Sequence, residues 1–135
     1  MIHIIMGLKG SGKTKKLIDS INEALVNATG DVTCIENGKK LTYDISHRAR
    51  LVDSKEYGIS NPDMLKGFLS GLHAGNFDIT HVYIDNLYKT IGSDRAAGEA
   101  FIEWAASFAA ANDMEITITV SDDPALASEN IKKYL

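Results

Sequence analysis

The chain is 135 residues long, 44% of them hydrophobic and 24% charged, and its formal net charge is −4. This length and composition predict one domain, residues 1–135, with a buried core. The acidic balance argues against nucleic acid as the main partner, because nucleic-acid-binding domains concentrate basic residues on one face. No apolar run reaches the ~18 residues that a membrane-spanning helix needs, so no membrane span is expected.

The cellular compartment is predicted from the N-terminus and from the cysteine content. The N-terminal stretch, MIHIIMGLKG, has no basic leader and does not resemble a secretory signal. Cys34 is the single cysteine, so an internal disulfide is excluded, and its apolar surroundings favour a buried structural thiol. We therefore expect a cytoplasmic protein.

The N-terminal part of the chain alternates strand-like and helical patterns. Residues 2–6 are apolar and are followed by a glycine, which predicts a buried strand. From Lys13 the apolar residues recur at helical spacing until Gly30, which acts as a stop signal. Residues 31–36 predict a second strand because β-branched and apolar residues precede an Asn-Gly turn.

The middle of the chain predicts two short extended segments and then a helix. The extended segments lie around residues 41–45 and 49–53, and we expect them to pair with each other. Pro62, preceded by a Ser-Asn pair, is typical of the first turn of a helix, and Gly75 is expected to end that helix.

The C-terminal part of the chain continues the alternation. Residues 81–85 form a β-branched and aromatic strand, and Ser93 or Asp94 is expected to cap a long helix. Residues 115–120 predict another strand, and Pro124 opens a short terminal helix. Strands alternating with helices predict an α/β protein, a three-layer αβα fold with a mainly parallel central sheet. Ligands of such sheets bind at the carboxyl ends of the strands.

A glycine-rich stretch, GLKGSGKT, joins the first strand to the first helix. It matches G-x-x-x-x-G-K-[ST], the phosphate-binding P-loop, in the strand–loop–helix context that this motif requires. Glycines let backbone N–H groups point inward, and a helix N-terminus favours anions. We expect Lys13 to contact the β- and γ-phosphates and the Thr14 hydroxyl to bind Mg²⁺. The predicted phosphate-binding residues of the loop are Gly7, Leu8, Lys9, Gly10, Ser11, Gly12, Lys13 and Thr14.

Two further strand ends are expected to complete the nucleotide site. A P-loop needs a second metal anchor, an Asp at the end of a hydrophobic strand, and Asp85 ends HVYID. Ser121 ends the strand EITITV and is expected to hydrogen-bond the γ-phosphate. Arg95 is expected on the surface of the following helix, outside the site.

Hydrolysis would need a carboxylate that orients or deprotonates a water molecule. The residue after Asp85 is Asn86, which cannot act as a base. Glu36, at the carboxyl end of the second strand, is the predicted substitute, although a plain turn carboxylate is the alternative. Asp44 is a weaker candidate. Lys13 and Glu36 are thus the candidate catalytic residues.

These motifs resemble those of the additional-strand P-loop ATPases over residues 1 to about 123. In detail the chain looks like a minimal core of the secretion and pilus-retraction ATPase family. GLKGSGKT resembles that family's Walker A motif, and FDITHVYIDN resembles its Walker B strand. ITITVSD resembles the strand that follows Walker B. DVTCIEN resembles the family's strand that ends in acidic residues, with Glu36 at the acidic position. The resemblance implies ATP and Mg²⁺ as ligands. The chain departs from the family in having Asn86 where a Glu is expected, so a motor role is not carried over.

Two other resemblances leave the function open. The chain looks like short bacterial ATP-binding proteins of unknown role. It is also similar to the thymidine kinase type of P-loop enzyme, through SGKT and a hairpin-like segment after the second strand. The expected partner is a nucleotide, and a protein partner or self-association is left open. The function is then a slow ATPase, a nucleotide-dependent interaction module without chemistry, or a small-molecule kinase.

Overall fold

Five strands and five helices make up the computed structural model, which describes all residues from Met1 to Leu135. The strands are β1 (Ile2–Gly7), β2 (Asp31–Glu36), β3 (Arg50–Asp53), β4 (Ile79–Asp85) and β5 (Glu115–Ser121). The helices are α1 (Lys13–Asn27), α2 (Pro62–Gly75), α3 (Leu87–Ile91), α4 (Arg95–Ala111) and α5 (Glu129–Lys132). None of the helices has both the length and the apolar character needed to cross a membrane.

The strands form a single sheet in the order β1-β5-β4-β2-β3, and every neighbouring pair is parallel. The predicted α/β class with a parallel sheet is therefore confirmed. The register aligns the strand ends, because Gly7 lies opposite Ser121 and Glu36 lies opposite Asp85. We call this end of the sheet, where the chain leaves each strand, the carboxyl edge.

Helices cover both faces of the sheet, because the strand residues alternate between two cores. On one face α1 packs with the loop after β2, through the buried residues Leu17, Ile21, Ala24, Val32, Cys34, Leu41, Ile45, Ala49 and Tyr83. On the other face α2, α3, α4 and α5 share a larger core that includes Leu65, Leu69, Leu87, Phe101, Ile102, Ala105 and Ile131. Isoleucines 116 and 118 of β5 belong to this larger core. Thr117 and Thr119 alternate with these isoleucines along β5 and lie on the opposite face, the face that α1 covers.

Helix boundaries follow the capping residues in the sequence. The Asn61 side chain accepts a hydrogen bond from the Met64 N–H at 2.9 Å, and Pro62 is the first residue of α2. Asp94, one of the two predicted caps of α4, accepts from the Ala97 N–H at 3.3 Å. Helix α3, directly after β4, was not expected from the sequence.

The predicted strand at residues 41–45 is wrong. A 3₁₀-helix spans Lys40–Tyr43 there, and β3 pairs with β2 in parallel instead of with this segment. The physical reason lies in tertiary packing, since Leu41, Ile45 and Ala49 are buried in the core that includes Leu17 and Ile21 of α1. The segment is a crossover between two parallel strands, so the hairpin-like similarity to the thymidine kinase type is not supported.

Candidate functional site

A cavity of about 430 Å³ lies at the carboxyl edge of the sheet, beside the start of α1. We call it the carboxyl-edge cavity. It brings together residues of the glycine-rich loop and the ends of β2, β4 and β5. The predicted site residues that line it are Lys9, Gly10, Gly12, Lys13, Thr14, Glu36, Asp85 and Ser121.

The other predicted loop residues shape the loop without lining the cavity. A Cβ atom added to Gly7 would collide with Ser11 Oγ and lie 3.1 Å from Ser11 Cβ, so any other residue there would require Ser11 to shift. The Leu8 side chain is exposed, whereas its carbonyl accepts hydrogen bonds from the Ser11 N–H at 3.1 Å and from Lys13 Nζ at 3.0 Å. The loop is therefore a compact turn held from within.

Two glycines set the backbone of this turn. Gly10 and Gly12 have φ angles of 85° and 86°, in the left-handed region that favours glycine. Gly12 directly precedes α1, and the first residues of this helix, Lys13, Thr14 and Lys15, line the cavity and have N–H groups without partners inside the helix. A helix N-terminus of this kind carries a partial positive charge, which favours an anion.

The cavity is rich in positive charge although the whole chain is acidic. Its lining includes the lysines Lys9, Lys13, Lys15, Lys40 and Lys89, and only two carboxylates, Glu36 and Asp85. Lys40 and Lys89 were missed by the sequence reasoning. The loop after β2 and helix α3 bring them to the cavity, and no local motif marks either one.

Asp85 at the end of β4 is held by one hydrogen bond. The Thr119 hydroxyl, on the neighbouring strand β5, donates to Asp85 Oδ1 at 2.6 Å, and no protein group donates to Oδ2. Thr119 is completely buried. Sequence reasoning missed this residue, although the alternation of Thr and Ile in EITITV places Thr119 on the same face as Ser121.

Asn86 and Ser121 contact each other at the same edge. The Asn86 side-chain amide donates to Ser121 Oγ, and its carbonyl oxygen accepts from the Tyr88 N–H at 3.1 Å, which caps α3. Both ends of the Asn86 side chain are therefore occupied. Ser121 accepts with its oxygen and keeps its own hydroxyl proton available for another acceptor.

Glu36 lines the cavity but also has a structural role. Its two carboxylate oxygens accept the backbone N–H groups of Lys40 and Leu41, each at 3.1 Å, and the residue is 7% exposed. These bonds satisfy N–H groups at the start of the 3₁₀-helix. Asp44, the weaker candidate base, is exposed and does not line the cavity.

A charged cluster lies beside the cavity. Arg95 is exposed at the start of α4, as expected, and contacts both oxygens of Asp122 at 2.7 and 2.9 Å. These bonds lower the pKa of the Asp122 carboxyl to about 2. Burial, and then the nearby Asp122 charge, raises the pKa of Tyr88 to about 12. The cluster thus ties α3 and α4 to the segment that directly follows Ser121.

Cys34 behaves as the sequence predicted. It is fully buried, and burial raises the pKa of its thiol, with smaller contributions from the carboxylates of Asp85 and Glu36. A thiol kept protonated in this way is a poor nucleophile. Cys34 is therefore a packing residue beneath the cavity.

The oxygen donors of the cavity fit a magnesium ion. Thr14 supplies a hydroxyl and Asp85 a carboxylate, and both line the same space. No group of three or more His, Cys, Asp or Glu side chains is arranged to hold a metal. A donor set of one or two oxygens suits Mg²⁺, which usually keeps several waters and binds substrate phosphates.

Comparisons with protein-family models and with curated proteins found no match to this chain. A function for the chain is therefore inferred from its fold and from the groups that converge on the carboxyl-edge cavity.

Proposed function

We propose that the chain is a Mg²⁺-dependent ATP-binding protein whose single nucleotide-binding domain spans residues 1–135. The observation that carries this proposal is the convergence of the loop residues Lys13 and Thr14 with Asp85 and Ser121 in one cavity. The strand order supports the resemblance to the additional-strand P-loop class, since β5 lies between β1 and β4.

The triphosphate would be bound mainly by the glycine-rich loop. Backbone N–H groups of residues 7–14 and the N-terminus of α1 would face the phosphates. Lys13 Nζ now donates to the Leu8 carbonyl at 3.0 Å, and it would exchange that acceptor for a phosphate oxygen. The exchange is favourable because a hydrogen bond between two charged groups is stronger than one to a neutral carbonyl.

The metal would be held by Thr14 and Asp85. When bound, Mg²⁺ neutralises part of the phosphate charge. The Asp85 carboxylate is suited to this role because its Oδ2 atom has no donor within the protein. Ser121 would donate its hydroxyl proton to the terminal phosphate while accepting from Asn86.

Slow hydrolysis is the activity that we propose for this site. Glu36 is the carboxylate left to orient a water molecule, because Asn86 follows Asp85 where a base would be expected. Its two oxygens already accept the backbone N–H groups of Lys40 and Leu41, so a water molecule would share these oxygens with the start of the 3₁₀-helix. We expect a turnover below about 1 s⁻¹, the low end for ordinary enzymes.

A non-hydrolysing, nucleotide-dependent interaction module is the second candidate. It is favoured by the Asn86 side chain, whose amide and carbonyl are both engaged within the protein. In this case nucleotide binding would change the surface around α3 without chemistry. The small-molecule kinase stays an untested alternative, and no contact of the carboxyl-edge cavity favours it over the two candidates above; the segment expected to resemble a hairpin contains a 3₁₀-helix at Lys40–Tyr43 instead.

Calorimetric titration of ATP with Mg²⁺ tests the proposed function. We expect saturable binding that weakens when EDTA removes the metal, and Lys13→Ala should weaken it by about 100-fold, because a charge-assisted hydrogen bond is lost. Lys16→Ala is the matched control, since it removes the same charge from the same turn of α1 but does not line the cavity. No heat of binding from the parent protein would refute the proposal.

A further inference from the structure

We propose that Thr119 is a positioning residue for Asp85, a role that rests on the proposed magnesium–nucleotide site. It would act through the Asp85 carboxylate without contacting the metal or the nucleotide. The contact that carries this inference is the hydrogen bond from Thr119 Oγ1 to Asp85 Oδ1, which is 2.6 Å long.

The position of Thr119 in the sheet makes this contact rigid. Thr119 lies on β5, which is hydrogen-bonded on both sides, to β1 and to β4. Ile84 lies opposite Ile118, so Asp85 and Thr119 are the next neighbours along the two strands. A β-branched side chain is also restricted at χ1, and the Thr119 side chain is completely buried. The hydroxyl is thus a donor with little freedom to move.

The bond fixes one carboxylate oxygen and leaves the other for a ligand. An ionised carboxylate only accepts hydrogen bonds, so the Thr119 hydroxyl must donate. With Oδ1 engaged, Oδ2 is the atom without a protein donor, and Asp85 lines the carboxyl-edge cavity. Such hydrogen bonds to metal-binding carboxylates orient the ligand before the metal arrives.

The chain contains a matched threonine that lacks this contact. Thr117 lies two residues earlier on β5 and on the same face of the sheet, and it is 6% exposed. Its side chain forms no hydrogen bond to another side chain and does not line the carboxyl-edge cavity. Replacing Thr117 with valine therefore measures how a valine on this face of β5 affects nucleotide binding. Replacing Thr119 with valine also removes the hydroxyl that donates to Asp85.

The test compares ATP binding with Mg²⁺ and with excess EDTA in Thr119→Val, Thr119→Ser and Thr117→Val. The ratio of the two affinities measures how much the metal strengthens nucleotide binding. Thr119→Val should lower this ratio by about 10- to 100-fold, the usual cost of losing an outer partner of a metal ligand. The affinity of Thr119→Val in EDTA should stay within about threefold of the parent value, because the phosphate-binding loop is unchanged. The affinity ratios of Thr119→Ser and Thr117→Val should also stay within about threefold of the parent ratio, because both variants keep a hydroxyl donor at position 119.

Two results would overturn the inference while leaving ATP binding by the parent protein intact. One is a Thr119→Val ratio equal to the parent ratio, and the other is an equal loss in Thr117→Val. If Thr119→Val does not fold by circular dichroism, Thr119→Ala against Thr119→Ser provides the same comparison. A parent protein that binds no ATP in either condition would instead refute the proposed function itself.

Discussion

Two cavities, near opposite ends of the strands, differ more in chemistry than in size. The carboxyl-edge cavity measures about 430 Å³, and a groove at the opposite end measures about 620 Å³. This amino-edge groove lies between α1 and the strands β1, β5 and β4. Its polar lining includes His3, Glu23, His81, Tyr83, Glu115 and Thr117. The larger space therefore lacks the glycine-rich loop and the lysines.

Helix α1 contributes to both cavities with opposite ends. Its N-terminus, at Lys13, faces the carboxyl-edge cavity, whereas Ala24 and Asn27 of its last turns line the amino-edge groove. The helix dipole places partial positive charge at the first end and partial negative charge at the second. An anion is therefore favoured at only one of the two cavities.

Two pairs of groups in the amino-edge groove satisfy each other. His3 Nε2 lies 2.9 Å from Glu115 Oε2, and the Tyr83 hydroxyl donates to the Ser20 carbonyl at 3.1 Å. A strand face presents side chains at fixed spacing, whereas the loops at the strand ends can turn backbone N–H groups toward a ligand. The comparison shows that the lysines and the glycine-rich loop, more than volume, distinguish the candidate site.

The largest expected effect concerns the carboxylates of the two cavities. Glu36→Gln should lower the free energy of unfolding by about 1–3 kcal/mol, because the amide retains one acceptor oxygen for two backbone N–H groups. Glu115→Gln should cost only about 0–1 kcal/mol, because the pair with His3 is exposed. Urea unfolding of the two variants measures the difference.

Turnover in the same Glu36→Gln protein separates the two roles of Glu36. If Glu36 orients water, ATP binding is retained and turnover falls. Equal stability of the Glu36→Gln and Glu115→Gln proteins would show that the hydrogen bonds to the 3₁₀-helix contribute little. The contrast between the two cavities would then rest on the lysines and the loop alone.

A smaller effect is expected from the serines of the two cavities. Ser121→Ala should reduce the preference for ATP over ADP by about tenfold, because a hydrogen bond to a charged phosphate is lost. Ser20→Ala, which removes the hydroxyl next to Tyr83 in the amino-edge groove, should leave the preference unchanged. Competition titrations with ADP measure both ratios. A similar loss in the two variants would contradict a specific contact from Ser121.

The sequence predicts the elements well where their signals are local. The boundaries of β2 and α2 follow directly from β-branched runs, a turn pair, a capping Asn and a first-turn proline. The prediction for residues 41–45 is wrong because a short apolar pattern of this kind fits both a strand and a helical turn. The actual structure of this segment, a 3₁₀-helix followed by turns, depends on Leu41, Ile45 and Ala49 packing against α1, which is a tertiary effect.

The site is predictable only in part, because its geometry depends on strand order. The glycine-rich loop is specified by its own residues, and Asp85 and Ser121 follow from the rule on strand ends. That Ser121 lies opposite Gly7 depends on the insertion of β5 beside β1, which no local pattern encodes. The donor role of Thr119 and the contribution of Lys40 need the folded chain for the same reason.

The smallest expected effect is a pH dependence confined to the amino-edge groove. Burial lowers the pKa of His81, and the opposing influence of Glu115 is smaller. The folded state therefore favours neutral His81, and the free energy of unfolding should fall as the pH drops below the ordinary histidine pKa of about 6.5. Urea unfolding at about pH 7.5 and about pH 5.5 should show this loss in the parent protein and a smaller one in His81→Asn, which cannot be protonated.

ATP affinity at the carboxyl-edge cavity should be the same in the parent protein and in His81→Asn, since His81 lines the other end of the sheet. An affinity that changed with His81→Asn would mean that the two cavities are coupled through β4, and the contrast between them would no longer hold.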